Sequence, residues 1–312
     1  MCGLFGFSIY GNHKFKDLQD ITNSLAEMSA VRGTDATGVA YNEQGKLNIV
    51  KDGKSAFAVD FKHSNDIRAL IGHTRHSTQG SEKQNHNNHP FAGKCKNTVF
   101  ALAHNGVLAN DIQLREDYKL PKTKIETDSY IAVELLEYKK KLNENNVKFM
   151  AEALVGSFSF SILDSYNNIW LVKGDSPLHI LHFIDKGIYV YASTEEILWK
   201  ALIETDLFED LKEQKYEVVP ITRGTILKIF PSGKLEYSTF EFQEYKGFAP
   251  CRWWQYGVPS CYGTHHVGDD ETEYIKELKS VAQYQGYSAE TVDELIAAGF
   301  ALEEIEEYIY EV

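Results

Sequence analysis

Between residues 4 and 240 the chain carries eleven segments of five to eight residues whose apolar positions alternate or run without a break. A two-residue period marks a strand with one buried face, and a short continuous apolar run marks one buried on both. The segments are Leu4–Tyr10, Thr37–Tyr41, Leu47–Lys51, Ala69–Thr74, Val99–His104, Ser157–Asp164, Ile169–Lys173, His179–Phe183, Ile188–Ala192, Thr225–Phe230 and Lys234–Phe240. Glu43-Gln44-Gly45, Asn167-Asn168, Asp185-Lys186-Gly187 and Pro231-Ser232-Gly233 are tight-turn sequences that join neighbours into hairpins. Helical periodicity is confined to Leu18–Val31, Asp128–Leu142 and Thr194–Ile203. Hairpins outnumber helices, so the chain reads as an α+β protein with antiparallel sheets covered by helices, not as alternating parallel βα units.

With 43% hydrophobic and 12% aromatic residues the chain can bury a substantial core, which excludes a disordered or fibrous protein. No apolar run approaches the roughly 18 residues of a membrane span, and no signal peptide opens the sequence. Four cysteines are too few for a disulfide framework, so a soluble cytoplasmic protein is expected, with no membrane partner. A formal charge of −13 argues against nucleic acid as a partner. That charge is concentrated: residues 269–312 hold 13 Asp and Glu against two Lys, a local net of −11. The expected organisation is a main domain over 2–245, an aromatic-rich linker over 246–268 and an acidic helical segment over 269–312. In that segment Ser288 is placed to cap a helix carrying Val292, Leu295 and Ile296, which Gly299 ends. Leu302, Ile305, Ile309 and Val312 form the apolar stripe of a second helix, and the pair resembles small ubiquitin-associated-type bundles.

Chemistry concentrates at Met1-Cys2-Gly3-Leu4-Phe5-Gly6. Once the initiator Met is trimmed, Cys2 carries a thiol and a free α-amino group. The amine, with a reference pKa near ~8, can act as base at neutral pH, so one residue supplies nucleophile and base. Further motifs follow in order: Arg32-Gly33-Thr34-Asp35-Ala36-Thr37-Gly38, then Gly72-His73-Thr74-Arg75-His76-Ser77-Thr78-Gln79-Gly80. Asn88-His89-Pro90-Phe91, His104-Asn105-Gly106-Val107-Leu108 and Glu126-Thr127-Asp128-Ser129 complete the series. With Cys2 at its head, this order resembles the class II glutamine amidotransferases, Ntn hydrolases with an N-terminal cysteine nucleophile. The domains in question are the glutaminase domains of glucosamine-fructose-6-phosphate aminotransferase and amidophosphoribosyltransferase. The resemblance spans Cys2 to Phe242 and weakens after Asp128.

It implies a four-layer αββα sandwich of two antiparallel sheets, with a C-terminal helical appendage, and hydrolysis of L-glutamine to glutamate and ammonia. Arg75 is then the fork for the substrate carboxylate, Thr78 an added hydroxyl donor and Asp128 the anion for the substrate ammonium. Asn105 and Gly106 form the oxyanion hole beside the Cys2 nucleophile. Read singly, Arg75 is equally a surface cation, Asp128 a helix cap and Asn105-Gly106 a hairpin turn. His76 and Gln79 depart from the family pattern, which places an aromatic and, in the hexosamine-phosphate synthases, a histidine there. No cofactor is expected. Cys95 reads as a structural loop residue. Cys251, Cys261, His265 and His266 match no zinc spacing, so no metal is expected. About 70 residues follow Phe242, too few for the acceptor domains of family members that synthesise. The expected partner is a separate ammonia-accepting synthase subunit. Two other readings stand beside this one: an N-terminal-cysteine amidase on another amide, and a non-catalytic binding module with this fold. The sequence does not set the oligomeric state.

Overall fold

A computed structural model of the chain describes residues 2–96, 98–203 and 205–243 and, further on, residues 275, 279, 282, 288–297 and 305. The chain forms two compact units, Met1–Gly247 and Phe248–Val312. In the first unit, one sheet contains β1 (Gly3–Ile9), β2 (Ala36–Glu43), β3 (Lys46–Asp52), β4 (Ala69–Arg75), β9 (His179–Phe183), β10 (Ile188–Ala192) and β11 (Glu217–Val218), in the order β11-β9-β10-β1-β4-β2-β3. The other contains β5 (Phe91–Cys95), β6 (Thr98–Leu108), β7 (Gly156–Asp164), β8 (Ile169–Lys173), β12 (Thr225–Ile229) and β13 (Leu235–Thr239), in the order β13-β12-β8-β7-β6-β5. Neighbouring strands are antiparallel in both.

The period-two pattern sorts each strand's side chains between two cores. In β1, Phe5, Phe7 and Ile9 face α1 (Leu18–Ser29), α5 (Glu195–Leu202) and α6 (Phe208–Lys212), while Leu4 faces the opposite sheet. In β6, Phe100 and Leu102 face α2 (Asp111–Asp117), α3 (Tyr130–Tyr138) and α4 (Glu144–Ala153), while Ala101 and Ala103 point between the sheets. The central core mixes Leu and Ile with Ala40, Ala69, Ala101 and Ala103, small residues that let two sheets pack closely. Three cores between four layers make the αββα sandwich, in agreement with the expected fold. Thr194 starts α5 by accepting the Ile197 N–H at 3.3 Å, and Asn143 starts α4 by accepting the Asn146 N–H at 3.0 Å.

Several elements differ from the sequence reading. Asn105-Gly106 is not a hairpin turn: β6 runs through it to Leu108, with Gly106 opposite Phe158. Cys95 is not a loop residue but the buried end of β5, where Phe91, Gly93 and Cys95 face the core. Gly93 hid that strand, because glycine reads as a breaker. Here it is required, since a Cβ would lie 2.2 Å from the Phe100 ring. In the second unit Ala289–Ala297 is helical, following Ser288 as expected, and buries Val292. Most of the second stripe, together with Cys251, Cys261, His265 and His266, lies outside the described residues. Among the described residues no helix is long and apolar enough to cross a membrane.

Candidate active site

Cys2 stands just before β1, half-buried. Arg32 Nε donates to its carbonyl oxygen at 2.9 Å. Its thiol lies against the backbone of His76, whose N–H donates to Sγ at 3.4 Å, while Sγ reaches the His76 carbonyl oxygen at 3.6 Å. Burial pushes the thiol pKa up, against the lowering effects of the His76 N–H and Arg75. The motif beginning at Arg32 works at close range. A Cβ on Gly33 would lie 2.4 Å from the Arg75 carbonyl carbon, so only glycine lets the two segments meet. Asp35 then accepts the Ser77 N–H at 2.6 Å and donates its own N–H to the Arg75 carbonyl at 3.0 Å.

Arg75 is not a surface cation. It is 3% exposed, and its fork is held by neutral oxygens only: Asn88 Oδ1 at 2.7 Å, the Gly80 carbonyl at 2.8 Å and the Gln79 carbonyl. Asp128 is also 3% exposed. Its carboxylate accepts the Leu108 N–H at 2.5 Å, the Ser129 N–H at 2.8 Å and the Ser129 hydroxyl at 3.2 Å. Burial pushes the Asp128 carboxyl up, opposed by these donors. Among the described residues neither group forms an ion pair. Gln79 joins them, its carbonyl on Arg75 and its Oε1 accepting the Asp128 N–H at 3.2 Å. Gln79 entered the sequence reading only as a departure, and its bridging role rests on a loop geometry that no motif encodes. Thr78 lies exposed on the same loop, and among the described residues no bond of its hydroxyl ties it to the cluster.

Asn105 and Gly106 occupy the stretch of β6 between two ties to the site. His73 Nε2 meets the His104 carbonyl oxygen at 2.9 Å, and Leu108 donates to Asp128. The Asn105 amide nitrogen is buried with no hydrogen-bond partner among the described residues. Gly106 has φ +139°, and a Cβ there would meet the Ser157 carbonyl oxygen at 2.0 Å. Behind them lie three buried imidazoles. His104 Nδ1 is 2.7 Å from the Ser129 hydroxyl, and the His89 ring lies tilted against His73 with centroids 4.1 Å apart. Burial lowers His73 and His104 to about 3 and His89 well below its ordinary value, so all three are neutral near pH 7. Among the described residues no group of three or more His, Cys, Asp or Glu is arranged to hold a metal ion.

Residues 73–200 match the family described as glutamine amidotransferase domain. The glutamine–fructose-6-phosphate aminotransferase (isomerizing) of Listeria innocua is 31% identical over 233 residues, 72% of this chain and 36% of that protein. The Streptococcus pyogenes protein of the same name is 31% identical over 256 residues, 77% of this chain and 39% of that one. The chain thus spans about a third of the length of the curated relatives it matches. In fold it is similar to the glutamine phosphoribosylpyrophosphate amidotransferase of B. subtilis, with TM-score 0.60, 22% identity and coverage of 78% of this chain and 50% of that one. A structure described as the allosteric regulatory enzyme of purine biosynthesis gives TM-score 0.62 at 20% identity, again over 78% and 50%. The two antiparallel sheets with their helical layers are the Ntn-hydrolase fold. Within it the chain belongs to the class II glutamine amidotransferase domain family, a family of enzymes.

Proposed function

We propose that this chain hydrolyses L-glutamine to glutamate and ammonia through Cys2. The observation that carries this reading is the buried pair of unanswered charges. Burying an ion without a direct counter-ion is expensive, and here a guanidinium and a carboxylate are both buried, hydrogen-bonded only by neutral groups and attracted to acidic or basic neighbours only at longer range. They are bridged by one residue and lie close enough to Cys2 for both to act on its thiol. A free α-amino acid carries the opposite charges in one small frame, its carboxylate for Arg75 and its ammonium for Asp128. An amide substrate lacking those groups leaves both unmatched, which disfavours the reading as an amidase on other amides.

With glutamine so held, Cys2 Sγ attacks the side-chain amide carbon. The raised thiol pKa means that a base must take the proton. Imidazoles held neutral to about pH 3 are too weak for it. The α-amino group that Cys2 exposes once Met1 is removed takes the proton and delivers it to the departing nitrogen. The unpartnered Asn105 amide and the Gly106 N–H stabilise the oxyanion. Ammonia leaves with the proton, a thioester joins Sγ to the glutamyl group, and water attacks it with the amine again as base. Glutamate is released and the thiol restored. The relatives' name describes amino transfer to a sugar phosphate, and for this chain we propose that ammonia passes to an acceptor site outside residues 2–243. Ammonia release from L-glutamine by wild-type protein, lost in Cys2→Ala at unchanged melting temperature, tests the reading. Equal ammonia release by Cys2→Ala contradicts it.

A further inference from the structure

Two adjacent asparagines, Asn87 and Asn88, are completely buried between the segments that carry the two charges. Their side chains go opposite ways. Asn88 Oδ1 takes the Arg75 Nη1 donor at 2.7 Å, and its Nδ2 donates to the Glu82 carbonyl at 2.8 Å. Asn87 makes a reciprocal pair with Glu126: its Nδ2 donates to Glu126 Oε2 at 2.8 Å, and its Oδ1 accepts the Glu126 N–H at 3.0 Å. Asn87 Nδ2 also reaches the Ser81 carbonyl at 3.3 Å. The backbone that follows the pair is pinned from β3, because Lys51 Nζ donates to the carbonyls of Asn88 at 2.5 Å and Pro90 at 3.1 Å. Asn85 Nδ2 returns a bond to the Lys51 carbonyl at 2.7 Å.

We infer that Asn87 and Asn88 are positioning residues that set the separation between the carboxylate end and the ammonium end of the amino-acid pocket. The inference rests on the glutamine reading above and deepens it. Both side chains are fully buried, so each acts on the pocket through another residue. Asn88 acts through the Arg75 fork, holding it with a neutral acceptor that leaves its charge available. Asn87 acts through Glu126, two residues before Asp128. A buried amide suits both tasks, since it donates and accepts without adding a charge that would compete with the ligand. The pocket thereby favours an α-amino acid over a β-amino acid, a bare amide or a lone anion.

Double-mutant cycles on the full chain test this, with kcat/KM for L-glutamine read by ammonia release. Asn88→Ala is expected to lower kcat/KM about tenfold, through KM with kcat nearly unchanged, because it removes a hydrogen bond to a charged group. In an Arg75→Ala background the same change should have less than a twofold effect, since its route of action is gone. Asn87→Ala should couple in the same way to Asp128→Ala and act independently of Arg75→Ala. Should Asn88→Ala fail to fold, the isosteric Asn88→Asp makes the same test: its carboxylate pairs with Arg75, competes with the substrate carboxylate and raises KM only where Arg75 is present. Equal factors in both backgrounds, or a fall in kcat at constant KM, overturn the positioning role while leaving the glutamine reading intact. An Arg75→Ala variant with unchanged KM removes the carboxylate clamp, and the role assigned to Asn88 goes with it.

Discussion

The guanidinium of Arg75 and the carboxylate of Asp128 are the residues whose loss should be felt in binding. Arg75→Ala or Asp128→Ala should raise KM for glutamine by roughly 30- to 1000-fold, the worth of a charge-assisted pair. Asn105→Ala should instead lower kcat by about 100-fold or more at similar KM, if its unpartnered amide meets only the oxyanion. Steady-state kinetics separate the two, and equal kcat losses in all three variants contradict the assignment. Asp128 also sets a pH dependence. Burial raises its carboxyl above the ordinary aspartate value, and the protonated form has no charge for the ammonium. KM should therefore rise as pH falls through that raised value, an acid limb that Asp128→Asn removes. At this scale Cys2, Arg75, Asn105, Gly106 and Asp128 stand out in the sequence as candidates because each sits in a compact motif. Gln79, Asn87 and Asn88 do not, because their contacts form only when residues 76–88 fold back and bring Gln79 and Asn88 onto Arg75, Gln79 onto the Asp128 N–H and Asn87 onto Glu126.

Strands and helices were legible in proportion to how strictly they alternate. The β8, β9 and β10 spans are those expected from the pattern, since their buried apolar residues alternate between two cores. The sequence reading missed α2, α4 and α6, which have seven, ten and five residues and short apolar faces. It also stopped β6 at His104, because Asn-Gly is a turn sequence wherever no neighbouring strand claims it. Here β7 claims it, and the geometry admits only glycine. Gly106→Ala should destabilise the fold by about 2–4 kcal/mol, from positive φ and overpacking against Ser157 together. Thermal melts check this, and an unchanged midpoint would show that β6 can yield. The histidines behind β6 predict a second stability effect. His73 and His104 are depressed to about 3, so below the unfolded value near ~6.5 the unfolded chain binds more protons than the folded one. Their contribution is complete above that value and is lost as pH falls, by about 1.4 kcal/mol per pH unit for each histidine down to about 3. Denaturation between pH 6.5 and 5 should show this slope, to which the equally buried His89 adds, and His73→Phe, if it folds, should lower it by about a third.

Over the whole molecule, the described residues of the three cores all lie within 4–240, so the first unit holds a stabilising interior of its own. A chain ending at Gly247 should keep its melting temperature and its glutamine hydrolysis. The strongly acidic residues 269–312 then serve some other end, for which a basic acceptor surface is the proposal: deletion should abolish copurification of an acceptor, and high salt should weaken it. Early melting of the truncated chain would instead make the tail part of the fold. The central claim is that Cys2, with its own amine as base, takes the acyl group of a glutamine held between Arg75 and Asp128. Its most direct test is intact-mass and peptide analysis of the protein after reaction with 6-diazo-5-oxo-L-norleucine, which presents glutamine's carboxylate and ammonium with an electrophile at the amide position. One adduct on Cys2 at the chain's first position, with Met1 absent and protection by L-glutamine, is the predicted result. Active protein that retains Met1, or an adduct on Cys95 with Cys2 untouched, would contradict the account.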